Sequence, residues 1–490
     1  MKRAPLTLAA VTAALAALTG AATLAAPAGT AGDGGKAAVR LPVERSALLC
    51  PPPSGSDIAE TTYTSVTPKG ESAQGAGAGS AQLLTADAKH APKLTLKEPG
   101  KPVAATASGA EVPALAGAAE GVLAPGWAAQ QTTVVSVGSA RGVLGAACTA
   151  PDTDFWFPGA STAKTRQDYL HVTNPDDSAA VVDVELFGPD GSLKSDSGAG
   201  EGIPVPARSS VPVLLSTLTS APVADLTVHV TTRTGRVGAS VQVQEDGTGS
   251  DWLPAAADAG PSVVLPGIPA DATSVRLVAF ATGEDDADLT LKLAGPTGSI
   301  TPAGNEELHV KSRMTASVEL KDLTRGEAGS LLLVPSEPGH RAPVVAALRV
   351  VRGSGAKQEI AFIPAAAPVG ARATAADNRA TGGTLSLTAP GADATVKITA
   401  GAGTQAGEPA TKTVTVKAGT TVALPSPVPA ALKGSYALTV ETQSGGPVYA
   451  ARTLALPADG IPMFTIQLLA DDHSTVAVPE ATQNLTVLQN

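Results

Sequence analysis

Six histidines, a few acidic loops and two cysteines hold most of the side chains that could do chemistry in this 490-residue chain. His171, His229 and His309 each stand between apolar neighbours in alternating stretches, which places them on the wet faces of strands. His340 falls in a turn, and His90 and His473 fall in loops. No HExxH or other ligand spacing joins any of them, so no metal site is assigned. Serine and threonine are abundant, but no GxSxG occurs; GTGSDW (247–252) is the nearest glycine-framed serine. GAGAGS (75–80) has no lysine and no strand-to-helix context for a phosphate loop.

The acidic candidates are Asp176 with Asp177, the loop of Glu284, Asp285, Asp286 and Asp288, and Asp471 with Asp472. Loop carboxylates can hold calcium or flank a glycosidic bond. These match neither the EF-hand nor the nonapeptide pattern, and the comparable APGAD loop carries Asp393 alone. They read as solvated turns. No catalytic residue, cofactor or metal ligand is assigned, and a non-enzyme is expected.

The elements that would position any site repeat along the chain. VPARSSVPVLL begins at Val205, VKSRMTASVEL at Val310 and VKAGTTVAL at Val416, offsets of 105 and 106. Upstream of each, a strand ends in a glycine turn at Gly188, Gly295 and Gly401. Downstream of each, a hairpin starts at Leu226, Leu331 and Tyr436. Three landmarks in one order at one period mark a structural repeat. Within it, Val182, Val184 and Leu186 alternate with Asp183 and Glu185, giving a strand with one buried face and one wet face. The expected fold is all-β: tandem immunoglobulin-like or fibronectin-like antiparallel β-sandwich modules. About three repeats of roughly 105 residues follow a degenerate N-terminal module. The expected sandwiches are 161–260, 261–368 and 369–490, preceded by the degenerate module at 32–160. In that module, 72–82 and 100–121 read as low-complexity loops.

Aligning TTVVSVGSARGVLGAACTAPDTDFWFPGA with LTVHVTTRTGRVGASVQVQEDGTGSDWLPAA makes DFWFPGA a module-end motif, answered by DWLPAA and AFIPAA. Phe155, Trp156, Phe157, Trp252 and Phe362 are therefore expected to pack at module junctions. Trp127, Tyr436 and Tyr449 are further aromatics that could stack on sugar, without clustering.

The net charge of −10 is thinly spread, and no Lys/Arg cluster suits nucleic acid. Met1-Lys2-Arg3 followed by an uncharged run reads as a secretory signal over 1–31, with an uncleaved anchor as the alternative. No other membrane span is expected in the mature form. Two cysteines in an exported chain read as a disulfide, Cys50–Cys148. It would close a loop of about 98 residues, roughly 4–5 kcal/mol by chain entropy.

The segments LLCPPP (48–53), CTAPDTDFWFPGAS (148–161) and DYLHVTNPDDSAAVVDVELFGPDG (168–191) resemble the actinobacterial secreted domain-of-unknown-function family 5719. That family has no established activity, so the resemblance supplies no catalytic residues. It implies a secreted, cell-envelope-associated protein. The expected function is an exported, non-enzymatic scaffold or binding protein with an envelope protein or glycan as partner. The alternative is a carbohydrate-binding protein or an accessory subunit of an envelope glycan enzyme.

Overall fold

The computed structural model describes residues 39–70, 78–193 and 198–478. The expected signal segment, 1–31, and residues 72–77 of the first low-complexity tract lie outside them, while Ser80–Gln82, expected as loop, belong to the strand Ser80–Thr85. The chain divides into two compact units, 42–475 and the two terminal stretches. Of the terminal stretches, the described residues belong to a ribbon of Val39–Pro42 and Thr475–Val478.

Unit 42–475 is built of antiparallel sheets. Its described helical turns are Gly121–Leu123 and Leu215–Thr217, both 3-10. No helix among the described residues is long and apolar enough to cross a membrane.

The alternating pattern becomes packing directly. Val182, Val184 and Leu186 point into one core with Leu226, Val228 and Val230 of the paired strand. The hairpin expected from Leu226 is instead a crossing between sheets. The RTGR turn carries the chain from Leu226–Thr234 to Gly238–Glu245 in the facing sheet, and its Gly235 has a φ of +78°, in the left-handed region that glycine adopts without strain.

Eight sheets pair into four sandwiches, at 45–147, 154–253, 263–364 and 372–469. Each has eight principal strands in one order: 1-6-3-4 in one sheet and 5-2-7-8 in the other. In the first sandwich the first sheet is Arg45–Cys50, Leu115–Glu120, Ser80–Thr85 and Pro92–Leu96. The second is Val103–Ser108, Glu60–Val66, Ala128–Val135 and Gly142–Ala147. Pairing strand 2 with 5 and strand 3 with 6 is the immunoglobulin-type key. The outer strands depart from it, because strand 1 lies beside strand 6 and strand 7 beside strand 2.

Three expectations change. The N-terminal module is not degenerate in strand content, and 100–121 holds the strands Val103–Ser108 and Leu115–Glu120. These are alanine-rich, and alanine carries little strand signal. Second, DFWFPGA ends nothing: Asp154–Ala160 pairs with Leu226–Thr234 and is strand 1 of the second sandwich. The boundary expected at 160 therefore falls before Asp154. The motif's true counterpart is Val263–Ile268 (VVLPGI), where Gly159 and Gly267 both take positive φ at a bulge. The N-terminal alignment is off by one strand, since successive strands share similar length and alternation. Third, Cys148 lies just past Gly142–Ala147, a strand 8 rather than a counterpart of the strand 7 that holds Val241.

Candidate functional site at the junction of four sandwiches

Contacts between sandwiches join first to second, second to third, third to fourth and fourth back to first. The series closes on itself through the four eighth strands: Gly142–Ala147, Gly249–Leu253, Lys357–Pro364 and Phe464–Leu469. Glycines permit this approach. A Cβ at Gly142 would overlap the Ser250 carbonyl, one at Gly145 the Thr465 side chain, and one at Gly249 the Glu359 carboxylate.

Where these strands meet, two carboxylates are buried. Oδ1 of Asp251 accepts from the backbone N–H of Gly145 (3.2 Å) and of Trp252 (2.8 Å) and from the Thr465 hydroxyl (3.2 Å). Three sandwiches thus share one carboxylate oxygen, while Oδ2 is buried with no hydrogen bond among the described residues. Burial pushes the Asp251 carboxyl well above its usual range, and the charge of Glu359 adds to the effect.

The Glu359 side chain is fully buried, and burial pushes its carboxyl up to about 8 against the opposing charge of Arg141. Arg141 reaches from the first sandwich to the carbonyls of Thr248 and Gln358, each at 2.5 Å, and lies 3.7 Å from Glu359.

A second polar cluster fills the fourth-to-first seam. Gln130 donates to Gln467 (2.9 Å) and accepts from the Asp377 backbone N–H (2.7 Å). Arg452 donates to both glutamines, and Thr132 and Arg379 donate to Asp377 at 2.8 and 3.0 Å. Arg452 is fully buried, which lowers its guanidinium to about 10, and its Nε and Nη1 have no partner among the described residues. The second-to-third seam combines an apolar cluster of Phe187, Phe280, Val345 and Trp156 with ion pairs of Arg276 to Asp225 and Arg349 to Glu245.

Residues 103–427 match the model of a family described only as being of unknown function, DUF5719. The chain belongs to that family. No curated protein matches the chain. The DUF5719 stretch includes Arg141, Asp251, Glu359 and Asp377, and it stops short of Arg452, Thr465 and Gln467.

Cys50 and Cys148 form a disulfide that ties strand 1 of the first sandwich to the residue after its strand 8. Trp252 is buried against Ala59, Val135, Leu144 and Ala146 of the first sandwich. Phe362 enters the core of the second sandwich, with the Arg166 guanidinium 5.7 Å from its ring. Phe155 and Phe157 fill the core of their own sandwich. Trp156 meets the third sandwich, not the first. Its ring stacks with His229 (3.7 Å) and with Phe280 (5.2 Å), so no open platform remains for a sugar.

His171 is a correction to the wet-face reading. Both its ring nitrogens are buried without a hydrogen bond, its ring meets Trp252 edge-on, and burial lowers the imidazole to about 4. Alternation assumes one wet face per sheet, whereas this strand is covered on both. His229 is held by Asp154 (3.0 Å) and Glu185 (3.4 Å), and His309 by Asp288 (2.7 Å) on an exposed surface. The acidic loops are tied down locally: Asp176 by Arg236, Asp177 by Arg208 and Asp472 by Arg372. Among the described residues no group of three or more His, Cys, Asp or Glu could hold a metal ion.

Sequence reasoning missed Asp251, Glu359, Gln130 and Arg452. For Arg452 the available signal was a charged residue inside a run that is mostly apolar or small, YAARTLAL; Gln130 and Glu359 stand among polar neighbours and carried no such signal.

Proposed function

We propose that this protein is an exported, non-enzymatic binding scaffold of the cell envelope. The observation that carries the reading is the use made of its buried polar side chains. Asp251, Glu359, Arg141, Gln130 and Arg452 bond across sandwich seams and hold four sandwiches as one body. Groups committed to such contacts position a surface rather than a reacting atom. The Cys50–Cys148 disulfide supports an oxidising compartment.

Two measurements test the proposal. Fractionation of cells expressing the full chain is expected to find it outside the cytoplasm, at the envelope. Incubation of the full chain with isolated envelope polysaccharide is expected to release no reducing ends. Release that disappears in both Asp251→Asn and Glu359→Gln would make the junction a glycosidase carboxylate pair and overturn the scaffold reading.

A further inference from the structure

One difference between two equivalent seams leaves a space. Across the second-to-third seam, Arg276 donates to Asp225 at 2.5 and 2.8 Å, Ser317 donates to Asp225 at 3.0 Å, and Glu319 stands 3.6 Å from Arg276. Strand pairing gives the counterparts in the third-to-fourth seam. Leu226 opposes Ala160 as Gly329 opposes Ile268, so Asp225 corresponds to Ala328. Arg276 opposes Glu319 and Val278 opposes Ser317, as Thr384 opposes Pro425 and Ser386 opposes Ala423. Every member of the charged bridge is thus replaced by a smaller or uncharged residue: Ala328, Thr384, Ala423 and Pro425.

All four replacements line a cleft of about 280 Å³ between the third and fourth sandwiches. The bridge is gone and the space it filled is open. The lining mixes apolar residues with hydroxyl-bearing and charged ones. Thr384, Ser386 and Thr453 line the space and bring three hydroxyls. Arg352 and Asp271 line it too, joined at 2.5 Å, so the charges there balance. Gly267, with φ of +88°, lets the backbone pass close to Ala451 and Ser386 at the cleft's side.

We propose that this cleft binds a neutral, hydroxyl-rich ligand: a single sugar ring or the terminal residue of a glycan. Three hydroxyls can each donate and accept, which suits a ligand carrying adjacent hydroxyls. The balanced Arg352–Asp271 pair offers donors and acceptors without selecting for net charge. The volume is just below the range for drug-sized ligands, which sets the scale at one ring. Pro269, Ala270 and Leu424 supply the apolar surface for its C–H face. The inference names a ligand class for the proposed scaffold but does not need the envelope location to hold.

The test is saturation-transfer NMR on the full chain with glucose, galactose, mannose and arabinose in turn. At least one sugar is expected to show transfer, with millimolar affinity. The double variant Ala328→Asp/Thr384→Arg rebuilds the bridge of the neighbouring seam and plugs the cleft. It should keep the wild-type melting midpoint and weaken binding by about tenfold or more. Ser386→Ala, a smaller change, should weaken binding while leaving circular dichroism unchanged. No transfer from any of the four sugars, or transfer undiminished in a folded double variant, overturns the proposal. Neither result bears on localisation or on reducing-end release.

Discussion

Glu359 gives the protein a pH dependence of unusual sign. Its side chain is fully buried, and its carboxyl is pushed from 4.5 to about 8. Between those values the folded chain keeps a proton that the unfolded chain has lost. The folded state then binds more protons, and stability falls as pH rises. The slope is about 1.4 kcal/mol per pH unit, or about 2 kcal/mol between pH 6.5 and 8. Asp251, raised by the same burial, acts in the same direction. His171 acts oppositely but elsewhere. Its imidazole is lowered to about 4, so its contribution is complete above the unfolded value near 6.5 and is lost as pH falls towards 4. The window from 6.5 to 8 therefore isolates the carboxylates. Urea denaturation followed by tryptophan fluorescence should show a midpoint that falls across this window. In Glu359→Gln, which keeps the shape and cannot ionise, the fall should shrink by the share that Glu359 contributes. A wild-type midpoint that is flat from pH 6.5 to 8, or a slope unchanged in Glu359→Gln, would refute the reasoning.

Arg452→Ala should cost about 3 kcal/mol, because Gln130 and Gln467 lose a buried donor. Hydrogen exchange should then rise first at Ala128–Val135 and Phe464–Leu469, the strands that carry those glutamines. Trp252→Ala should cost about 3–5 kcal/mol by emptying the first-to-second seam, read as a lower melting midpoint. Replacing both Cys50 and Cys148 by alanine should cost about 2–5 kcal/mol, with exchange in 45–147 rising more than in the other sandwiches.

The all-β class and the landmarks of the three later sandwiches were legible because they rest on two local signals, alternation and glycine turns. Gly188 and Gly295 stand at the ends of equivalent third strands, and the segments from Leu226, Leu331 and Tyr436 each hold strands 6 and 7, which lie in facing sheets rather than pairing as the expected hairpins. The N-terminal register was not legible, since a slip of one strand along a chain of similar alternating strands preserves both signals. Only hydrogen bonding between Asp154–Ala160 and Leu226–Thr234 breaks the tie. The aromatics were half legible for a related reason. Trp156 and Phe157 are neighbours on one strand, so they face opposite sides, one towards the third sandwich and one into their own core. The three rings of the triplet therefore cannot all pack at a module junction, as expected of them. The junction itself was illegible. Alternation assigns a polar residue to water, and that rule fails where a second sandwich replaces the water. His171, Asp251 and Arg452 all sit on such twice-covered strands. The same replacement gives Asp251 and Arg452 their shifted proton affinities, so the residues that mislead a sequence reading here are those that join the sandwiches.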